Sequence, residues 1–341
     1  MTRAVFRALL AAVLVVAGCR GSHRAADLVE TAGLAMGSEL RIAIWTADRE
    51  KAARVTAEVF AEFDRLERAL SVWRDDSDVQ RLNAAAGRGP VAVGPDTRAV
   101  LEAAAEASRL TGGAFDITFG ALSDVWRFDH DQDNRVPSLD EIAARLPLID
   151  PAAVVVDELA GTAEITRPGV RVHLGGIGKG YAVDRAVALL RGAGFGDFLL
   201  QAGGDLYAAG RPGDRAWRVG LQDPRGGANE HFATIELADE TFSTSGDYER
   251  FFIQDGVRYH HLLDPRTGQP ARGCRSVTIL AQSALLADWL STGAFILGPE
   301  QGMALVESQP GAEAVMVTAD NAIRMSSGLR GRLVMERKPK D

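Results

Sequence analysis

Lysine is nearly absent from this 341-residue chain: only four of its 38 basic residues are lysine, so arginine is its ordinary cation. No basic run occurs, and the formal net charge is −8. That balance excludes a general nucleic-acid binder, which needs a cationic stripe to neutralise phosphates. No internal repeat, low-complexity tract or long linker is present, so solenoids and disordered tails are excluded as well. Cysteine occurs twice, at Cys19 and Cys274. The hydrophobic share, 46%, suffices for one large core or two ordinary ones.

One long apolar run exists, at the N-terminus. Arg3 and Arg7 precede "LLAAVLVVAG", a positively charged start followed by an apolar core too short for a good membrane span. The run ends in "VVAGC", which resembles a bacterial lipobox. Residues 1–18 are then a lipoprotein signal peptide, Cys19 carries the lipid, and residues 19–28 form the lipidated Cys and a polar tether. An ordinary cleaved signal is the alternative. With Cys19 acylated, Cys274 has no partner for a disulfide and is expected to be a buried small apolar side chain.

Helical spacing runs from Glu50 to Leu70 through Val55, Val59, Phe63, Leu66 and Leu70. "PDTRAVLEAAAEASRLTGG" reads as a second helix, capped at Asp96 and stopped at Gly112 and Gly113. "SLDEIAARL" carries a capping box, Ser138 with Glu141. Further helices are expected at 179–192, at 284–297 and after Pro299. "SELRIAIWT", "AVVVD", "VRVHL", "DFLLQ", "WRVGLQ", "FATIEL", "RFFIQ", "RYHHLL" and "SVTIL" read as strands, with closing strands in the tail. The pattern is α+β: mixed, largely antiparallel sheets with packed helices.

Several stretches, two of them above all, carry chemistry that packing explains poorly. "HLGGIGKGYAVD" (173–184) places Lys179 among glycines between an apolar run and a helix. It fits neither a Walker loop nor a dinucleotide fingerprint, because Lys179 is followed by Gly180 and the glycine spacing is wrong. A turn so rich in glycine and carrying a lysine still suits an anion brought close to the backbone. "LLADWLSTGAFILG" (285–298) sets Asp288 and Thr292 four apart on one face of an otherwise apolar helix. A buried carboxylate is costly without a cation, and a carboxylate beside a hydroxyl suits Mg2+. An Asp hydrogen-bonded within the core is the plainer reading.

Together with "AMGSEL", "LSVWRDDSDVQRLN", "GGAFDIT", "QAGGDLYAAG", "STSGDYERFF" and "HHLLDPRTGQP", in this order, these stretches resemble the ApbE family, exported bacterial FAD:protein FMN transferases. The resemblance covers about residues 29–337 and implies a single catalytic domain over residues 29–341. It implies that Met36, Trp73, Ala114, Phe115, Asp116, Lys179 and Leu262 hold FAD. It implies further that Gly176 through its backbone, Asp288, Thr292 and the carbonyl of Ser291 hold Mg2+. His173 departs from the family, which usually has Asp there; an imidazole supplies no fixed negative charge.

The activity so implied is Mg2+-dependent transfer of FMN from FAD to a Thr or Ser hydroxyl of an acceptor protein, such as a membrane redox subunit, with release of AMP. His261 is the candidate general base; it adjoins His260, and only one of the two can face the site. The lipid anchor and family habit imply an inner-membrane enzyme facing the periplasm. Hydrolysis of FAD to FMN and AMP, or flavin binding without turnover, are the alternative functions.

Overall fold

The computed structural model describes residues 25–341. Cys19 and the signal-like run lie outside the described residues. Eight strands form one sheet in chain order, each antiparallel to the next: β1 (Asp27–Ala35), β2 (Ser38–Thr46), β3 (Phe198–Ala202), β4 (Asp205–Ala209), β5 (Glu240–Gly246), β6 (Cys274–Ala281), β7 (Glu313–Thr318) and β8 (Ile323–Met325). β1 begins two residues inside the stretch read as tether.

Among the described residues six α-helices accompany the sheet: α1 (Arg49–Leu70), α2 (Asp78–Ala84), α3 (Pro95–Leu110), α4 (Leu139–Arg145), α5 (Gly178–Gly192) and α6 (Ala284–Glu307). Strand alternation divides the packing. Leu40, Ile42 and Ile44 of β2 join Leu200, Val277 and Ile279 in a core shared with α1, α5 and α6. Ala43, Leu206, Phe242 and Leu280 face the other way. They pack on Trp217, Leu221, Phe232 and Ile235, whose strands Trp217–Gln222 and His231–Leu237 form a three-stranded sheet with Leu333–Met335. A third, aromatic cluster of Trp126, Phe128, Phe252 and Leu263 lies beside the hairpin Phe251–Gln254/Val257–His260. Cys274 is free and buried, and no described helix is long and apolar enough to cross a membrane.

Two local expectations are corrected. "VRVHL" is not a strand. The side-chain amide of Asn83 pairs with the backbone of Val172 in both directions, at 2.7 and 3.0 Å, and supplies the partner a strand would have had. Asp96 does not cap α3; Gly94 does, with Pro95 in the first turn. Asp96 instead takes hydrogen bonds from Tyr181 Oη at 2.6 Å and Arg65 at 2.8 Å. The helices read on either side of Pro299 are both present, separated within Ala284–Glu307 by the non-helical Gly298 at φ 81°. The stop of α3 is a Schellman pair, Gly113 N–H to Ser108 and Gly112 N–H to Arg109, with both glycines at positive φ. The capping box at Ser138 and Glu141 is present.

The crossing of α5 with α6 positions everything that follows. Asp184 of α5 accepts the backbone N–H groups of Ala284 and Leu285 at 2.8 and 3.0 Å and so caps α6 from outside it. One turn earlier on α5, Gly180 lies so close to α6 that a Cβ there would come 2.3 Å from the carbonyl oxygen of Ala284. Gly180→Ala should therefore force the helices apart and cost about 1–3 kcal/mol, as overpacking does. Denaturant unfolding of the variant measures this; an unchanged midpoint would contradict the close approach.

Candidate active site

A cavity of about 430 Å³ opens where the β1–β2 turn, the β3–β4 turn and the end of β5 meet the first turns of α5 and α6. Eleven of the residues singled out from sequence line it: Trp73, Ala114, Phe115, Asp116, His173, Gly176, Lys179, His261, Leu262, Asp288 and Thr292. The Schellman turn after α3 delivers Ala114 to Asp116. Phe115 N–H is tied to Thr111 Oγ1 at 2.9 Å, and Asp116 folds its carboxylate onto Thr118 N–H and Oγ1 at 2.8 and 2.7 Å. Burial raises the Asp116 pKa. Trp73 is half exposed at the rim, edge-on to His130 at 4.4 Å.

Two predicted residues are set apart. Met36 is not among the lining residues. It occupies the β1–β2 turn with φ 48°, and its methyl group lies behind the glycine-rich turn, near Gly178. Ser291 turns its hydroxyl toward Ser245 Oγ at 2.8 Å and donates to the carbonyl of Asp288 at 2.9 Å, outside the cavity wall.

The glycine-rich turn owes only part of its composition to the cavity. At Gly176 a Cβ would lie 3.3 Å from Thr292 Oγ1 and 3.2 Å from the Phe115 ring, so glycine there keeps the cavity floor open. Gly175 makes room for the His173 ring, whose Nδ1 accepts its N–H at 3.1 Å. Gly180 serves the helix crossing, and its N–H donates to Asp288 Oδ2 at 2.8 Å.

Negative charge is concentrated on the cavity floor. Asp288 is buried, and its pKa is pushed up to about 8, by burial first and then by Asp205, against the opposing pull of Lys179 and the Gly180 N–H. Asp205 was missed from sequence. Its signal was an Asp closing two glycines in an otherwise apolar strand. It is 2% exposed, and its Oδ2 has no hydrogen-bond partner. Lys179 Nζ stands 3.4 Å from that oxygen. Ser245, also missed, bonds Thr292 Oγ1 at 3.1 Å.

The histidines divide as strand geometry requires. His260 turns into the core, with Nε2 bonded to the Ala271 carbonyl at 2.8 Å, while His261 lines the cavity. Burial, with Arg250, His260 and Lys179 nearby, holds the His261 pKa down to about 3. Its Nδ1 is buried and has no hydrogen-bond partner. Burial likewise lowers His173 to about 4. Both rings are therefore neutral at working pH. The remaining wall is aromatic, from Phe119, Trp126 and Phe128, with Arg250 paired to Asp129 beside it. None of these five was singled out from sequence, where they read as loop or strand packing.

A mixed, antiparallel α+β domain whose aromatic-walled cavity stands over a carboxylate–hydroxyl floor is built to take a ring-bearing, charged ligand, as enzymes do. The chain belongs to the ApbE family, whose model matches residues 36–316. An FAD:protein FMN transferase of Treponema pallidum is 35% identical over 336 residues, spanning 93% of this chain and 92% of that protein. The ApbE protein of Thermotoga maritima shares the fold with a TM-score of 0.82 at 34% identity, covering 90% of this chain and 99% of its own. The apo form of the Pseudomonas stutzeri flavinyl transferase ApbE gives a TM-score of 0.80 at 31% identity, covering 90% and 97%.

The pKa directions fix a stability profile. Asp288 is protonated more readily when folded, so its contribution is fully present below its unfolded value of 3.8 and is lost as pH rises through about 8. In chelator-treated protein, Asp288→Asn should melt above wild type at about pH 9, and the gap should close by about pH 4. Melting curves across this range check it; a variant less stable than wild type at high pH would contradict the assignment.

Proposed function

We propose that the protein is an FAD:protein FMN transferase that moves FMN from FAD to a Thr or Ser hydroxyl of an acceptor protein. The observation that carries this reading is the cavity floor: Asp288, Thr292 and Lys179 meet beneath an aromatic wall, in a chain of the ApbE family. The names of its relatives support flavin transfer. Mg2+ dependence, the hydroxyl acceptor and AMP release are part of the proposal.

The donor set fits a hard divalent cation. It is made of oxygens, and the Asp205 carboxylate beside it, with Oδ2 buried and without a hydrogen bond, adds negative charge that a cation offsets. Among the described residues no group of three His, Cys, Asp or Glu side chains is arranged to hold a metal ion, so the set relies on hydroxyl and carbonyl oxygens as well. Asp288, Thr292 and the backbone at Gly176 would hold Mg2+. Bound there, Mg2+ would neutralise charge on the FAD diphosphate and on the leaving phosphate.

The chain's own residues do the rest. Phe115, Trp73 and Leu262 offer flat or apolar surface to the ring systems, with Met36 supporting the turn from behind. Lys179 offers its ammonium to the diphosphate. The acceptor oxygen attacks the FMN-side phosphorus, a new P–O ester bond forms, and the bridging P–O bond breaks. The bridging oxygen leaves with AMP, and the hydroxyl proton is released. His261, neutral and with an unpartnered Nδ1, is the group able to receive that proton. Its low pKa in the free protein makes it a weak base until the ligand's negative charge enters the cavity. His173, with Nδ1 accepting from Gly175, carries its proton on Nε2 and presents a donor where the family usually presents Asp.

Incubation with FAD, Mg2+ and a Thr-containing acceptor, followed by mass spectrometry of the acceptor, tests the reading. One FMN phosphoester per acceptor, with AMP in equal amount, is expected. Free FMN and AMP with unmodified acceptor would favour the pyrophosphatase. Asp288→Asn should lower transfer roughly a hundredfold or more and raise the Mg2+ requirement, while Thr292→Val acts in the same direction but less. Normal transfer by Asp288→Asn would overturn the site.

The proposal extends to location. Export and acylation at Cys19 would tether the domain to the inner membrane on its periplasmic face. Cys19→Ala should then release the protein from membranes with its FMN transfer intact; a variant that stays in the membrane fraction contradicts the anchor.

A further inference from the structure

We propose that Asp205 is a positioning residue that holds Lys179 as an internal counter-ion, so that once Asp288 is ionised the floor presents one net negative charge to a divalent cation. This rests on the reading that Asp288 and Thr292 hold such a cation.

The two oxygens of Asp205 have different surroundings. One accepts a hydrogen bond from Ser243 Oγ at 2.5 Å, which fixes the carboxylate on β5. The other, buried and without a hydrogen bond, has the Lys179 ammonium 3.4 Å away. A buried carboxylate left without a cation is strongly unfavourable, so Asp205 ties up a positive charge wherever one is within reach. Lys179 is that charge: Asp205 acts on it more strongly than any other group, and Asp288 acts in the same sense. The side chain keeps a quarter of its surface exposed, so its ammonium is reachable from the cavity.

An arginine would not serve as well. Its planar fork would lock bidentately onto one carboxylate, whereas an ammonium is a point charge free to serve two acids. In a chain with four lysines, one of them lines the cavity together with both of these acids.

The charges make opposite predictions for the two partners. Lys179→Met leaves Asp205 and Asp288 both bare, so a divalent cation should bind more tightly. Asp205→Asn frees Lys179 to pair with Asp288 and compete with the cation, so binding should weaken. Each change should be about tenfold, the order expected for one unit charge a few ångströms away in a partly screened site. The double variant restores a single net negative charge and should bind the cation within about threefold of wild type, since each change offsets the other.

The probe is Mn2+ alone, titrated calorimetrically into the full chain in detergent, with melting curves confirming the fold of each variant. Tighter, weaker and restored binding, in that order, support the pair. A double variant as weak as Asp205→Asn would show that Asp205 is itself a cation ligand and would overturn the inference. If Asp205→Asn does not fold, Lys179→Met alone decides: unchanged or weaker Mn2+ binding overturns it. Wild-type protein that takes up no Mn2+ overturns the cation site, and the pair with it.

Discussion

The structure turns on one buried carboxylate. Asp288 sits one turn inside α6, beneath a helix crossing so close that only glycine fits opposite it at position 180. A lone buried charge of this kind destabilises a fold unless something compensates it. Here the compensation is partial: one backbone N–H, and one ammonium shared with Asp205. The fold thus holds an unsatisfied electrostatic demand at the floor of this cavity, one that a divalent cation with a diphosphate would satisfy. The Asp184 cap on α6, the Gly180 crossing and the Ser245–Thr292 hydrogen bond all keep that demand in one place.

Much of this was legible in the sequence, because the informative residues violate local rules. An Asp and a Thr on an apolar helix, and a lysine in a chain built on arginine, stand out against their surroundings, and both lie on the cavity floor. Eight motifs in order identified the family, and the pattern of strands and helices separately indicated the antiparallel α+β fold. The pairing of His260 with His261 followed from strand alternation alone, one ring inward and one toward the cavity.

What escaped was set by contacts between distant segments. Asp205 lay in a quoted motif but was given no role, because nothing local reveals that its carboxylate will be buried beside a lysine 26 positions earlier. The aromatic wall of Phe119, Trp126 and Phe128 lies in irregular chain, where periodicity gives no signal. "VRVHL" had the composition of a strand but received its hydrogen bonds from the Asn83 side chain. Gly175 and Gly180, read as room for a phosphate, make room for an imidazole and for a neighbouring helix. Glycine records that something comes close; the tertiary structure decides what.

The central claim is that the cavity floor is a site for a hard divalent cation, made by Asp288 and Thr292 against the backbone of Gly176. Crystals of the protein soaked with Mn2+ and FAD, measured at the manganese absorption edge, test it most directly. The account predicts an anomalous peak within about 2.3 Å of oxygens of Asp288 and Thr292, the distance range of such cations. A peak elsewhere, or a floor still filled only by the Lys179 ammonium with FAD bound, would contradict it.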